Sequence, residues 1–458
     1  MTAVSSGGAG DDAPAVEVVD ALANARAPGN TEHESVAGRH YVFLGLLTAL
    51  NVLNFVDRQL LASFANFIKP ELGLSDSEYG LLTGFAFLVF YAVMGLFVGA
   101  LADIVHRPRL LAVGIALWSL VTAASGAAKG FVSLAIPRML IGVGESVLTP
   151  TSMSLLSDRF PTSRLGFASG FYYMGVPIGS GISLLIAGYL GPAIGWRNCF
   201  FMLGAIGLCF AVGMLFVKET PRRTIARPLA GGSRQSLPQL VQTLTRVLLK
   251  SPALMLTIAG GVCWHFILGA GTFDQLWYVQ ERGFERAEIA RLSGWIAMSA
   301  GLIGNLIGGA GGDWFQRRTG LGRPMFLCAI MLLMAPINIG YRFVSPDSFL
   351  FWGAMFIGSF QVGLFYGPTF STVQELVPPQ IRATVVAFYI LTLNLIGLGI
   401  GITAGGFLID ALRDHQVADP YTKTLLTMSV LSMLSIPLYY LAGRRFQRDR
   451  DRLLRGDV

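Results

Sequence analysis

Apolar residues in this chain come in long blocks, not in the alternating or three-to-four spacing of a water-soluble fold. Tyr41 to Phe64, Tyr79 to Leu101 and Leu110 to Ala128 are the first three, and the series runs on to the block from Leu425 to Ala442. Each is about 20 residues long, the length a helix needs to cross roughly 30 Å of hydrocarbon. The blocks predict about twelve membrane-spanning helices. Six end near Val217, where KETPRRTIARPLAGGSRQSLPQ breaks the pattern, and six more begin near Ala253. The expected organisation is a disordered cytoplasmic tail over 1–38, a six-helix bundle over 39–217, a linker over 218–252, a second six-helix bundle over 253–443 and a basic cytoplasmic tail over 444–458. In the linker, Leu240, Leu244 and Leu248 recur every fourth residue and predict a surface helix over Leu237 to Leu249.

The two bundles carry matching signals. Gly99, Asp103 and Arg107 of GALADIVHR recur 210 positions later as Gly309, Asp313 and Arg317 of GAGGDWFQR. Asp158, Pro161, Phe171 and Tyr172 recur 217 positions later as Glu375, Pro378, Phe388 and Tyr389. Two matches at nearly one offset indicate duplication of a six-helix unit. The expected fold is an all-α membrane protein of two pseudo-symmetric bundles, enclosing a cavity near the bilayer midplane that opens to either side by rocking.

Composition agrees with that reading: 53% of residues are hydrophobic and 13% charged, too few charges to cover a water-facing surface of 458 residues. The 55 glycines are concentrated inside the apolar blocks, where small residues let membrane helices approach closely. Cys199, Cys209, Cys263 and Cys328 sit in apolar stretches without metal-ligand spacing and read as packing residues. The net charge of +7 is not a nucleic-acid signal, because of where the charges fall. With both termini in the cytoplasm, 23 of the 34 Lys and Arg lie on the cytoplasmic side, 9 on the other and 2 inside helices. That bias orients the chain as a multi-pass protein with cytoplasmic termini. Its main clusters are Arg222, Arg223, Arg227 and Arg234 in the linker, and the arginines from Arg444 to Arg455.

Against this background the charges inside spans stand out, since each costs roughly 2.5–3.5 kcal/mol on insertion scales and needs a partner or a wet cavity. The first span carries Asp57 and Arg58, the fourth Arg138 and Glu145. The latter two are seven residues apart, close to two helical turns, so they share a face about 10 Å apart along the axis. The expectation is that the first and fourth helices face each other across the first half of the cavity, with each acid within reach of an arginine. The alternative is a purely structural lock between the two helices. Asn51 and Asn54 precede Asp57 at helical spacing and extend its polar stripe. His265 and Asp274 in the seventh span, with Tyr172 and Tyr389 from the repeat, complete the candidate cavity lining, near the aromatics Trp264, Phe266, Trp277 and Tyr278.

The GALADIVHR loop resembles the signature between helices two and three of the major facilitator superfamily, in which an acidic and a basic residue latch the cytoplasmic ends. Ile104 and His106 depart from it, standing where an Arg and a Gly are usual. Within that superfamily, NVLNFVDRQLLA, GLLTGFAFLVFYA, RMLIGVGES and SLLSDRFP followed by GFYYMGVPIGSGI resemble the Spinster family. The resemblance implies proton coupling by Asp57 and Glu145, and headgroup binding by Arg58 and Arg138. It also implies a lysophospholipid or sphingosine-phosphate type of substrate, with small organic anions or drugs as the alternative. Asp103, Arg107, Asp158, Asp313, Arg317 and Glu375 are the expected cytoplasmic gate.

No HExxH or GxSxG pattern and no GxxxxGK[ST] loop is present, which argues against an intramembrane hydrolase and an ATP-driven pump. The expected partners are an amphiphilic small molecule, protons and the lipid bilayer. No nucleic acid, cofactor or metal is expected, and the chain is expected to act as a monomer. The excess of arginine over lysine suggests a bacterial inner membrane.

Overall fold

The computed structural model describes residues 38–102, 104–221, 237–378 and 381–455. The N-terminal tail, the linker arginines Arg222, Arg223, Arg227 and Arg234, and Asp103 lie outside those residues. Among the described residues, eleven helical stretches are long and apolar enough to cross a membrane. One of them, Arg164–Leu215, has 52 residues, about twice what a single crossing needs. It breaks at Gly195, whose φ of 80° and ψ of 153° belong to no helix, a conformation open to glycine because it has no Cβ. The break turns eleven stretches into twelve crossings.

In chain order the first half holds α1 (Gly38–Ser63), α2 (Asp76–Gly95), α3 (Arg107–Gly126) and α4 (Phe131–Arg159), then α5 (164–194) and α6 (196–215) either side of the break. The second half holds α7 (Pro252–Gln280), α8 (Arg286–Thr319), α9 (Arg323–Gly340), α10 (Phe349–Glu375), α11 (Thr384–Asp414) and α12 (Pro420–Leu454). An even number of crossings returns the chain to the side where it began. The end of the molecule that holds the start of α1 and the end of α12 is called the termini end below, and the opposite one the far end.

The linker helix runs over Leu237–Lys250, with Leu244, Val247 and Leu248 packed on the core of the second half. The basic C-terminal segment is not a tail as far as Leu454: α12 continues through it. Its inner face explains why. Asp449 accepts from the backbone N–H of Ala253 at 2.7 Å, Gln447 donates to the Gly320 carbonyl at 2.7 Å, and Phe446 is fully buried. A carboxylate on the first turn of α7 also complements that helix's dipole.

The halves meet along two seams, α2 against α11 and α5 against α8. Glycine makes both contacts possible. A Cβ on Gly181 of α5 would lie 2.7 Å from the Met298 Cβ and 2.8 Å from the Gly294 carbonyl of α8. A Cβ on Gly406 of α11 would run into the Asp76 carbonyl at the start of α2. Backbones therefore touch where lipid supplies no hydrophobic drive for association.

Polar contacts between the halves are confined to the far end among the described residues. Asn66 donates to the Gln275 carbonyl at 2.6 Å, Tyr79 to the Thr272 carbonyl at 3.3 Å and Arg291 to the Gly188 carbonyl at 3.1 Å. Asp76 accepts from the Tyr421 hydroxyl at 2.7 Å and pairs with Arg413 at 2.7 Å. Asp410 in turn accepts from the backbone N–H groups of Asp76 and Ser77 at 3.0 and 2.7 Å. At the termini end the ionic bonds among the described residues stay within each half. Among the described residues the halves are clamped at the far end and make no polar contact with each other at the termini end.

Candidate functional site

Three polar centres fall within this frame. The first lies inside the first half, where α1 and α4 bring Asp57, Arg58, Arg138 and Glu145 together. Arg58 donates to one oxygen of Glu145 through both Nε and Nη2, each at 3.0 Å. Its guanidinium also lies over the rings of Phe55, Phe87 and Tyr91 at 4.9, 5.0 and 4.5 Å. Long side chains thus bridge the two helices. The other oxygen of Glu145 has no hydrogen-bond partner, and neither has either oxygen of Asp57. Asp57 lies near the indole N–H of Trp118, which likewise makes no well-formed hydrogen bond. Arg138 pairs with no carboxylate within 4 Å; it donates weakly to the carbonyls of Leu82 and Arg58 at 3.4 and 3.5 Å and lies over the Phe87 ring. Asp57, Arg138 and Glu145 are buried, while Arg58 leaves 20% of its side chain exposed. Two acids and two arginines therefore share one closed pair. Buried groups left over in such a number are unusual away from functional centres.

The second centre is a chamber of about 350 Å³ between the halves, nearer the far end. Gln59 and Ser63 of α1 and Ser180 and Leu184 of α5 form one wall; α7, α8, α9, α10 and α12 form the rest. Asp274 and Arg342 supply its charges, paired at 2.9 Å. Arg342 also stacks on Trp277 at 4.4 Å and Tyr341 at 4.7 Å. Tyr278 and Tyr341 share a hydroxyl hydrogen bond of 2.5 Å, and Asn338 donates to Gln361 at 2.7 Å.

Of the residues expected to line a cavity, Asp274 lies in this wall and the others do not. Asn51 donates to the Tyr172 carbonyl at 2.9 Å, tying α1 to α5. Asn54 and Tyr172 are buried in the first half, and Tyr389 in the second, each with a side-chain polar atom unpaired. His265 is bound to the Gly261 carbonyl at 2.7 Å and approached by the Tyr366 hydroxyl at 3.4 Å, with Trp264 and Phe365 packed edge-on. These side chains lie in the packing of each half and not in the chamber wall. The charged quartet is likewise separate from the chamber wall. Arg342 was missed because it stands in the short GYRFVSPD connection, 68 residues from Asp274, with no periodicity to link them.

The third centre is a pair of ionic clusters at the termini end. In the first half Arg107, 1% exposed, is the hub: it bonds Asp158 at 2.5 Å, Glu219 at 2.9 Å, Ser154 at 2.9 Å and the Thr220 carbonyl at 2.7 Å. In the second half the hub is Arg323, which joins Asp313 at 2.8 Å and Glu375 at 2.5 Å, with Arg450 on Glu375 at 3.0 Å. This corrects the reading of Arg317, which is exposed and makes no ion pair among the described residues. The offset of 210 holds for the aspartates but not for the hub arginines, because the second loop is six residues longer. Arg-Pro opens α3 at Arg107-Pro108 and α9 at Arg323-Pro324, an offset of 216 that agrees with the 217 of Asp158 and Glu375. Arg323→Gln is accordingly expected to cost about 1–3 kcal/mol, its partners being part-exposed. Arg317→Gln is expected to stay within about 0.5 kcal/mol. Melting of the purified protein in detergent compares the two, and equal shifts would contradict this assignment.

Known proteins share this architecture. An MFS-type efflux pump of Mycolicibacterium smegmatis is 29% identical over 92% of this chain and 97% of its own length. A sphingosine-1-phosphate transporter of Xenopus tropicalis is 26% identical over 88% of this chain and 79% of its own. The crystal structure of a bacterial homologue of the human lysosomal transporter Spinster, inward-facing and unoccupied, superposes with a TM-score of 0.78 at 23% identity, covering 90% of this chain and 98% of that one. The family model described as Major Facilitator Superfamily matches residues 47–402, from the first span to the eleventh, and the chain belongs to that superfamily of membrane transporters.

Proposed function

We propose that the chain is a proton-coupled secondary transporter working by alternating access, whose substrate is a lipid-like amphiphilic anion such as a lysophospholipid or a sphingosine phosphate. The observation that carries this reading is the imbalance within the charged quartet. Arg58 holds one oxygen of Glu145, while Asp57 and Arg138 have no charged partner in hydrogen-bond range. In a low-dielectric bundle an uncompensated carboxylate is costly, and a proton removes the cost. A proton on Glu145 would free Arg58 for a phosphate or carboxylate, and rocking of the halves would carry both across. The far-end clamp supports an inward-facing state, with the termini in the cytoplasm of a bacterial cell and Arg107 and Arg323 on the cytoplasmic side. The likeness to a sphingosine-1-phosphate transporter supports the substrate class. A compact organic anion is the second reading, favoured by the amide and hydroxyl groups of the chamber wall, among them Gln59, Gln275, Ser293 and Gln361.

The test is transport by purified protein in vesicles. Labelled lysophosphatidic acid, sphingosine phosphate and galacturonate are compared with and without an imposed pH gradient. The reading expects one of the two amphiphiles to move faster when the gradient is present. Transport of galacturonate alone would replace the amphiphile with the second reading, and indifference to the gradient would remove proton coupling.

A further inference from the structure

The chamber near the far end has a polar centre that the charged quartet does not explain. Arg342 follows the end of α9 and reaches under the aromatic cover of Trp277 and Tyr341, where it is 6% exposed. It meets Asp274 through Nη1 alone, at 2.9 Å, and its Nε is a buried donor without an acceptor. Gln275, the next residue of α7, is 8% exposed and donates to Ser293 at 3.1 Å, which leaves its own oxygen buried and unpartnered. Both side chains belong to the chamber wall. A buried donor and a buried acceptor left unpaired in one wall are groups that a ligand can satisfy.

We propose that Arg342 is an anion-binding residue of this chamber, taking the carboxylate or phosphate group of the transported molecule on its free guanidinium edge, while Gln275 accepts from a hydroxyl or amine beside that group. A planar guanidinium suits this task, because a second edge remains available when one is already engaged by a carboxylate. Asp274 holds the guanidinium in place and balances its charge, so the pair discriminates among headgroups rather than attracting any anion from a distance. Trp264, Met331, Met355 and Ile436 of the same wall accommodate the adjoining apolar part. The assignment rests on the transport reading above but uses a different site from Arg58 and Arg138. With Arg58 held by Glu145, the anionic group rests on Arg342, and because Gln59 and Ser180 of the first half share this wall the substrate contacts both halves, as rocking between two bundles requires for a ligand to bias their equilibrium.

Binding of lysophosphatidic acid, monoacylglycerol and galacturonate to purified protein in detergent, followed by tryptophan fluorescence, tests the proposal. The variants are Arg342→Gln, Arg342→Lys, Gln275→Ala and the double substitution Asp274→Asn with Arg342→Gln, which leaves no unpaired charge. Arg58→Gln is run beside them. The expected result is at least tenfold weaker lysophosphatidic acid binding for Arg342→Gln and for the charge-neutral double variant. Arg342→Lys should recover part of the loss, Gln275→Ala should weaken binding less, and monoacylglycerol, which has no anionic group, should bind the Arg342 variants like wild type. Wild-type affinity in both Arg342→Gln and the double variant overturns the proposal. If Arg58→Gln alone then loses binding, the transport reading survives that failure. If galacturonate and not lysophosphatidic acid binds, and does so through Arg342, the amphiphile reading falls while the assignment of Arg342 stands.

Discussion

Glu145→Gln is expected to abolish acceleration of transport by an imposed pH gradient, lowering gradient-driven uptake by at least about tenfold, or 1.4 kcal/mol, while the protein stays folded. The substitution keeps the shape of the side chain and removes the group proposed to take the proton. Fully sealed ion pairs broken on one side lose about 3–5 kcal/mol. The loss here is expected to be smaller, because Arg58 retains three aromatic faces and 20% of its side-chain exposure. Asp57→Asn makes the complementary case. No hydrogen bond to either Asp57 oxygen is broken, so removing its charge is expected to be neutral or stabilising, yet it too is expected to weaken coupling. Uptake by vesicles at matched protein content, with and without the gradient, reads both variants. Folded variants that respond to the gradient as wild type does would leave the quartet as a lock between α1 and α4.

The fold was legible in the chain because lipid imposes a simple code: apolar blocks of one length, small residues where helices touch, and arginine on one side. The break at Gly195 was less so, since one glycine among many carries no mark of a positive φ. The quartet was legible for the reason that makes it costly, as charged side chains in such blocks are few. What was not legible is how far apart two centres lie. Periodicity places Asn51 and Asn54 on the face of Asp57, but it does not say whether that face meets another helix or a chamber. The Arg323 hub was hidden by a loop of different length, and Arg342 by standing outside any apolar block. Both become visible once the helix ends are fixed in space.

The far-end clamp yields the second large effect. Asp76 is completely buried and couples the halves through the Tyr421 hydroxyl and Arg413, while Lys69, on its own half, holds it at 3.1 Å. Asp76→Asn keeps the backbone N–H groups that Asp410 accepts from. It therefore removes only the charge-dependent part of the clamp. A hydrogen bond to a charged group is worth about 1.5–3 kcal/mol. Arg413 is 44% exposed, so its pairing adds well under 1 kcal/mol after solvent screening. A net loss of about 2 kcal/mol corresponds to a shift of roughly 30-fold toward the state open at the far end. A cysteine replacing Gln59 in the chamber wall, in a protein freed of its four native cysteines, reports that shift through labelling by an impermeant maleimide applied from the far side. Labelling is expected to speed up by about that factor in Asp76→Asn. It is expected not to change in Glu288→Gln, at the same end but with no bond to the other half among the described residues. Equal labelling in the two would mean that the glycine seams, and not the ionic network, hold the far end shut. In that case the stability of the closed state would reside in the close approach of Gly406 to Asp76 and of Gly181 to Met298.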